Sequence, residues 1–132
     1  IWGGAGIGAY CEDQPISVSK VSIKNQASIC TGFPVRLDLE NETVVQSFWR
    51  MVRLFAKVRM FGSAAVSLVY VARGVSDVYF EENIMLWDVA AGLAIVEGAG
   101  GTYTLKKTSV DWSYRVCASN EYLSSGLVDL FS

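Results

Sequence analysis

Histidine is absent from this sequence, proline occurs twice and cysteine three times. Without an imidazole there is no Ser-His-Asp triad, no Cys-His nucleophile pair and no histidine-containing zinc cluster. Cys11, Cys30 and Cys117 are far apart, odd in number and form no Cys-x-x-Cys pair, so the expectation is buried, reduced thiols in a cytoplasmic protein. Charge is also sparse: 18% of residues are charged, the net charge is −2, and the only adjacent basic pair is Lys106-Lys107. That scatter is no footprint for nucleic acid. The longest apolar runs, such as Ala64 to Ala72, fall well short of the roughly 20 residues that span a bilayer. No basic n-region with a cleavage site opens the chain, so no secretory signal is expected. General-base work therefore falls to carboxylates or to metal-bound water.

What remains is an apolar-leaning chain of 132 residues with 52% hydrophobic content, enough to bury the core of one domain. It opens on Ile1-Trp2-Gly3-Gly4 with no initiator Met, and the expectation is a fragment or excised domain. Gly3, Gly4, Gly6 and Gly8 suggest a tight turn before Ala9-Tyr10; their spacing does not match a dinucleotide fingerprint. Pro15 to Ser19 reads as a short extended segment, and Ala27 to Thr31 as a strand stopped by Gly32 and Pro34. From Asn41, a good cap, Val44, Val45, Phe48, Trp49, Val52 and Phe55 form the expected buried face of a helix. Lys57 to Phe61 reads as a strand. Ser63 caps a second helix that ends at Arg73-Gly74 and is so apolar that most of its sides should be covered. Ser76 to Glu81 reads as a strand, Asp88 to about Gly98 as a helix, and Thr102 to Leu105 and Tyr114 to Ala118 as strands. Ser119 or Asn120 then caps a closing helix. Alternating strands and helices predict an α/β layered domain with a mixed β-sheet flanked by helices.

Three places carry candidate chemistry. Asp88 follows Trp87 at a helix start, and a simple N-cap would explain an aspartate there. Yet no Glu or Gln at position 91 completes a capping box, and Gly92 costs the helix about 1 kcal/mol relative to Ala. Ala90, Ala91, Gly92 and Ala94 leave one flank bare, as if another element or a ligand approaches. Glu81 reads first as an exposed acid, but a loop across seven residues would bring it near Asp88. Gly62-Ser63-Ala64 offers helix N-terminal N–H groups to a hydroxyl or phosphate oxygen, alongside the simpler reading of a capped, buried helix. No Asp-x-Asp cluster accompanies these residues, so the chain does not look like a complete site for Mg²⁺, which wants about six oxygens.

Gly62-Ser63-Ala64-Ala65, the Asp77 to Glu81 strand, Trp87-Asp88-Val89-Ala90-Ala91-Gly92 and Ala99-Gly100-Gly101 resemble, in order and spacing, the second half of the inositol monophosphatase family. Gly8-Ala9-Tyr10 with Pro15 to Val18 resembles an earlier landmark of the same family, in which Phe usually follows the Gly-Ala. The resemblance implies the C-terminal half of an αβαβα sandwich and a Mg²⁺-dependent phosphomonoesterase acting on a small polyol or sugar phosphate. It implies Asp88 as a metal ligand, Glu81 as a contact for substrate hydroxyls, and Gly62, Ser63 and Ala64 as pocket lining. It also implies a missing N-terminal half, which carries the family's other metal-binding motifs, and a homodimer of the parent protein. Those absent motifs lead us to expect no meaningful hydrolysis from this chain alone. A noncatalytic α/β interaction domain and a nucleotide- or anion-binding module are the rival readings.

Overall fold

The structure is a computed structural model, which describes residues 1–32 and 40–128. The strand stop assigned to Pro34 lies outside the described residues. Three short strands come first: β1 (Trp2–Gly4), β2 (Gly8–Cys11) and β3 (Gln14–Pro15) form an antiparallel sheet in that order. The early glycines thus build a hairpin, not the strand-loop-helix that a dinucleotide site requires. There follow β4 (Ser28–Thr31), α1 (Glu42–Leu54), β5 (Lys57–Arg59), α2 (Ala64–Ala72), β6 (Val78–Met85), α3 (Leu86–Gly98), β7 (Thr102–Lys107), β8 (Ser113–Ser119) and α4 (Glu121–Val128).

The five later strands make one mixed sheet in the order β5-β4-β6-β8-β7. β4 runs parallel to β5 and β6, whereas β8 runs antiparallel to β6 and β7. Alternation along the strands splits the core in two. Cys30, Tyr79, Val116 and Ala118 share one cluster with Leu68, Val71 and Ala72 of α2 and Val89, Leu93 and Val96 of α3. Ile29, Val78 and Phe80 share the other with Met51 of α1, Phe55, and Leu123 and Leu127 of α4. Helices therefore cover both faces, as an α/β layered domain requires. Among the described residues no helix is long and apolar enough to cross a membrane.

Local signals explain most helix starts. The Asn41 side chain accepts from the N–H groups of Thr43 and Val44, Ser63 Oγ from Val66, and Asn120 Oδ1 from Leu123. One expectation is corrected in part. Phe55 is buried as expected, but Met51 is the buried residue within α1, while Trp49 and Val52 are exposed. Apolar residues occupy more than half of this helix's circumference, so spacing alone could not choose the stripe that meets the sheet. As expected, α2 is covered on most sides, with Ser67, Leu68, Val71 and Ala72 buried, while its first turn lies open at Ala65 and Val66.

Glycines set the spacing between layers at two points. A side chain at Gly92 would strike Leu68 of α2, so the bare flank of α3 is what lets those two helices approach. At Gly98 an added Cβ would meet the backbone of Gly4 and Gly8, which seats the β1–β2 hairpin against α3. All three cysteines are free. Cys30 is buried with its thiol on Ser76 Oγ, whereas Cys11 and Cys117 are half-buried, short of the burial expected for them; desolvation still pushes the Cys117 thiol up to about 12.

Candidate active site

A cleft of about 620 Å³ opens where α2 and α3 begin, beyond the ends of β4 and β6. Its lining includes Gly62, Ser63, Ala64, Glu81 and Asp88, the residues singled out in the sequence, together with Thr31, Gly32, Met60 and Ile84. A second groove of about 250 Å³, between β7, β8 and α4, is lined by Tyr103, Cys117 and Leu127 among others and holds no carboxylate. Among the described residues, Glu81 and Asp88 both face the first cleft.

Each wall follows from local structure. Ser63 Oγ takes the Val66 N–H and the Ser63 carbonyl takes that of Ser67, leaving Ala64 and Ala65 at the positive end of α2 with no acceptor inside the helix. Ser67 Oγ turns back onto the Ser63 carbonyl and closes the turn. Asp88 does not cap α3. The helix begins at Leu86 after Met85, which makes no side-chain cap, and Asp88 sits exposed in its first turn. This displaces the expected boundary by two residues. A carboxylate near a helix N-terminus is favoured by the dipole without being consumed by a capping bond.

No loop joins Glu81 to Asp88, contrary to expectation. β6 runs on to Met85 through a bulge: Glu81 pairs with Val116 and Ile84 with Tyr114, three steps along β6 against two along β8. Asn83 takes up the extra residue with φ 57°. The strand is rephased, and Ile84 rather than Asn83 lines the cleft. Glu81 is half-buried and its Oε1 accepts from the Tyr79 hydroxyl at 3.0 Å. Burial raises the Glu81 carboxyl above its ordinary pKa, the Tyr79 bond opposes this, and the charge of Asp88 adds to the rise. Tyr79 has no exposed surface; burial and then the Glu81 charge push its phenol upward, so it stays a donor.

Two carboxylates that repel across a polar cleft, one of them exposed, suit a hard divalent cation as part of its oxygen shell. Among the described residues no third acid or thiol joins them in a metal-holding group. The donor set fits one edge of such a site, and the remaining ligands must come from elsewhere.

The model of the inositol monophosphatase family matches residues 1–131. The chain belongs to that family. A chloroplastic phosphatase of Arabidopsis thaliana is 40% identical over 100 residues, covering 76% of this chain and 27% of that protein. Among solved structures, the extragenic suppressor protein suhB from Bartonella henselae superposes with a TM-score of 0.83 at 31% identity, covering 96% of this chain and 49% of that one. The inositol monophosphatase of an Anabaena species gives a TM-score of 0.80 at 34% identity over 96% and 52% of the two chains. This inositol monophosphatase-family chain thus spans about half the length of the structures it resembles. Sequence reasoning missed Gly32, Met60, Tyr79 and Ile84 as parts of the site. Gly32 had been explained as a strand stop, and the bulge that aims Ile84 leaves no trace in composition.

Proposed function

We propose that this chain forms the C-terminal half of the active site of a Mg²⁺-dependent phosphomonoesterase acting on a small polyol or sugar phosphate. The observation that carries the reading is the single cleft onto which Asp88, Glu81 and the start of α2 all open. Asp88 would hold the cation from the first turn of α3, where it stands exposed at the cleft. When bound, such a cation lowers the pKa of a water and stabilises the leaving oxygen. Glu81 accepts hydrogen bonds from substrate hydroxyls and so orients the ester. The first-turn N–H groups of α2 offer donors to a hydroxyl or a phosphate oxygen.

The other half of the site belongs, in this reading, to a preceding lobe. Supporting it are the lack of a third metal-ligating group among the described residues and the apolar surface left open on the α2–α3 layer, where Val66 is 42% and Trp87 67% exposed. The chain also covers about half the length of its structural relatives. In the complete enzyme, Asp88→Asn should lower Mg²⁺-dependent turnover on the order of a thousandfold, several kcal/mol of lost charge stabilisation. Turnover within a few fold of the parent across a Mg²⁺ titration refutes the metal role.

A further inference from the structure

We propose that Tyr79 and Gly32 are positioning residues for Glu81, the first holding its carboxylate and the second leaving it the room to sit there, and that together they set how strongly the site selects substrates by their hydroxyl groups. The inference rests on the reading of Glu81 as the acceptor of substrate hydroxyls. Glutamate has three side-chain torsions, and a half-exposed one ordinarily samples many rotamers. Here Tyr79 restrains it and Gly32 makes room for the orientation so held. Tyr79 lies two residues earlier on β6, hence on the same face, and its hydroxyl donates to Glu81 Oε1 at 3.0 Å. Its ring has no exposed surface and shares a core with Cys30, Leu68 and Val89, so the donor is anchored by packing rather than free to follow the carboxylate.

Gly32 stands against the same carboxylate oxygen. The last pair of the β4–β6 ladder is Thr31 with Phe80, which places Gly32 one step on, beside Glu81. A Cβ on Gly32 would collide with Glu81 Oε1 and come within 3.0 Å of its Cδ. Gly32 is not among the positive-φ glycines, so what the missing side chain provides is room for the carboxylate. An acceptor held in one orientation before substrate arrives loses little entropy when it bonds a hydroxyl.

The test uses the complete enzyme and two substrates: inositol monophosphate, rich in hydroxyls, and p-nitrophenyl phosphate, whose leaving group has none. The readout is the ratio of kcat/KM for the first to that for the second. Tyr79→Phe and Gly32→Ala should each lower the ratio about tenfold, the effect of one lost bond to a charged group. Glu81→Gln should lower it at least as far, and adding Tyr79→Phe to Glu81→Gln should change it no further. If both variants slow the two substrates equally, their role is structural and the proposal falls while the role of Glu81 stands. If Glu81→Gln itself leaves the ratio unchanged, the hydroxyl-acceptor reading fails and takes the proposal with it. Should Tyr79→Phe not accumulate as folded protein, Gly32→Ala at the cleft wall carries the test alone.

Discussion

Two carboxylates bracket the first half of β6 and live in opposite circumstances. Asp77, just before the strand, is buried, and both its oxygens are engaged: Ser19 Oγ donates to one and the Ser28 N–H to the other. Glu81 is less buried, yet it meets one hydroxyl donor and a second negative charge. The buried acid at the closed end is matched by donors; the half-buried acid at the open end is not. Burial therefore does not mark the site here. An unmet electrostatic demand does, because a group held against its own solvation is one that a ligand can satisfy.

The contrast can be broken in three ways. Removing Asp77 by Asp77→Ala strands the Ser28 N–H and the Ser19 hydroxyl and should cost about 3 kcal/mol of stability in urea denaturation. Turnover per folded molecule should stay near the parent value; a loss below 0.5 kcal/mol would show that the closed end does not depend on this acid. Next, Asn120→Ala deletes the cap of α4 and the bonds that its Nδ2 donates to Ser19 Oγ and the Val21 carbonyl, at 3.0 and 2.8 Å. About 2 kcal/mol should be lost, again with the cleft unaffected.

The smallest effect has the opposite sign. The folded pKa of Glu81 lies above its ordinary 4.5, so the folded chain keeps this proton to higher pH than the unfolded chain does. Its contribution to stability is complete below pH 4.5 and is lost as pH rises through the folded value. Glu81→Gln removes that loss and keeps an acceptor for Tyr79. Thermal melts should show the variant matching the parent at low pH and melting a few degrees higher near neutrality, a stability gained where function is given up. A variant that melts lower than the parent at pH 7 would place Glu81 with Asp77, as a structural acid.

Much of this was legible in the residues. Asn41, Ser63 and Asn120 announce their helices because a short polar side chain before an apolar run has one good use, the orphan N–H groups of a helix start. The mixed sheet followed from alternation, and motif order pointed to five residues that line the cleft, Gly62, Ser63, Ala64, Glu81 and Asp88. Three things were not legible. The inward stripe of α1 depends on what the sheet offers, since Trp49 and Met51 are equally apolar to any periodic reading. The two-residue shift that frees Asp88 from capping arises because β6 continues through Glu82 and Asn83, polar residues that suggest a loop. And the burial of Asp77 rests on partners, Ser19 and Ser28, that are distant in sequence and invisible to any local pattern.

The bulge at Asn83 has a corollary for how this half-site can vary. Side chains on a strand alternate by parity, so the cleft's far wall is written in the count of residues between Glu81 and Ile84 more than in their identities. Exchanging Glu82 or Asn83 for another amino acid preserves that count. Losing a single codon there would turn Ile84 to the opposite side of the sheet and re-aim the entry to α3 with it. Tolerance to substitution and intolerance to deletion should coexist at Glu82.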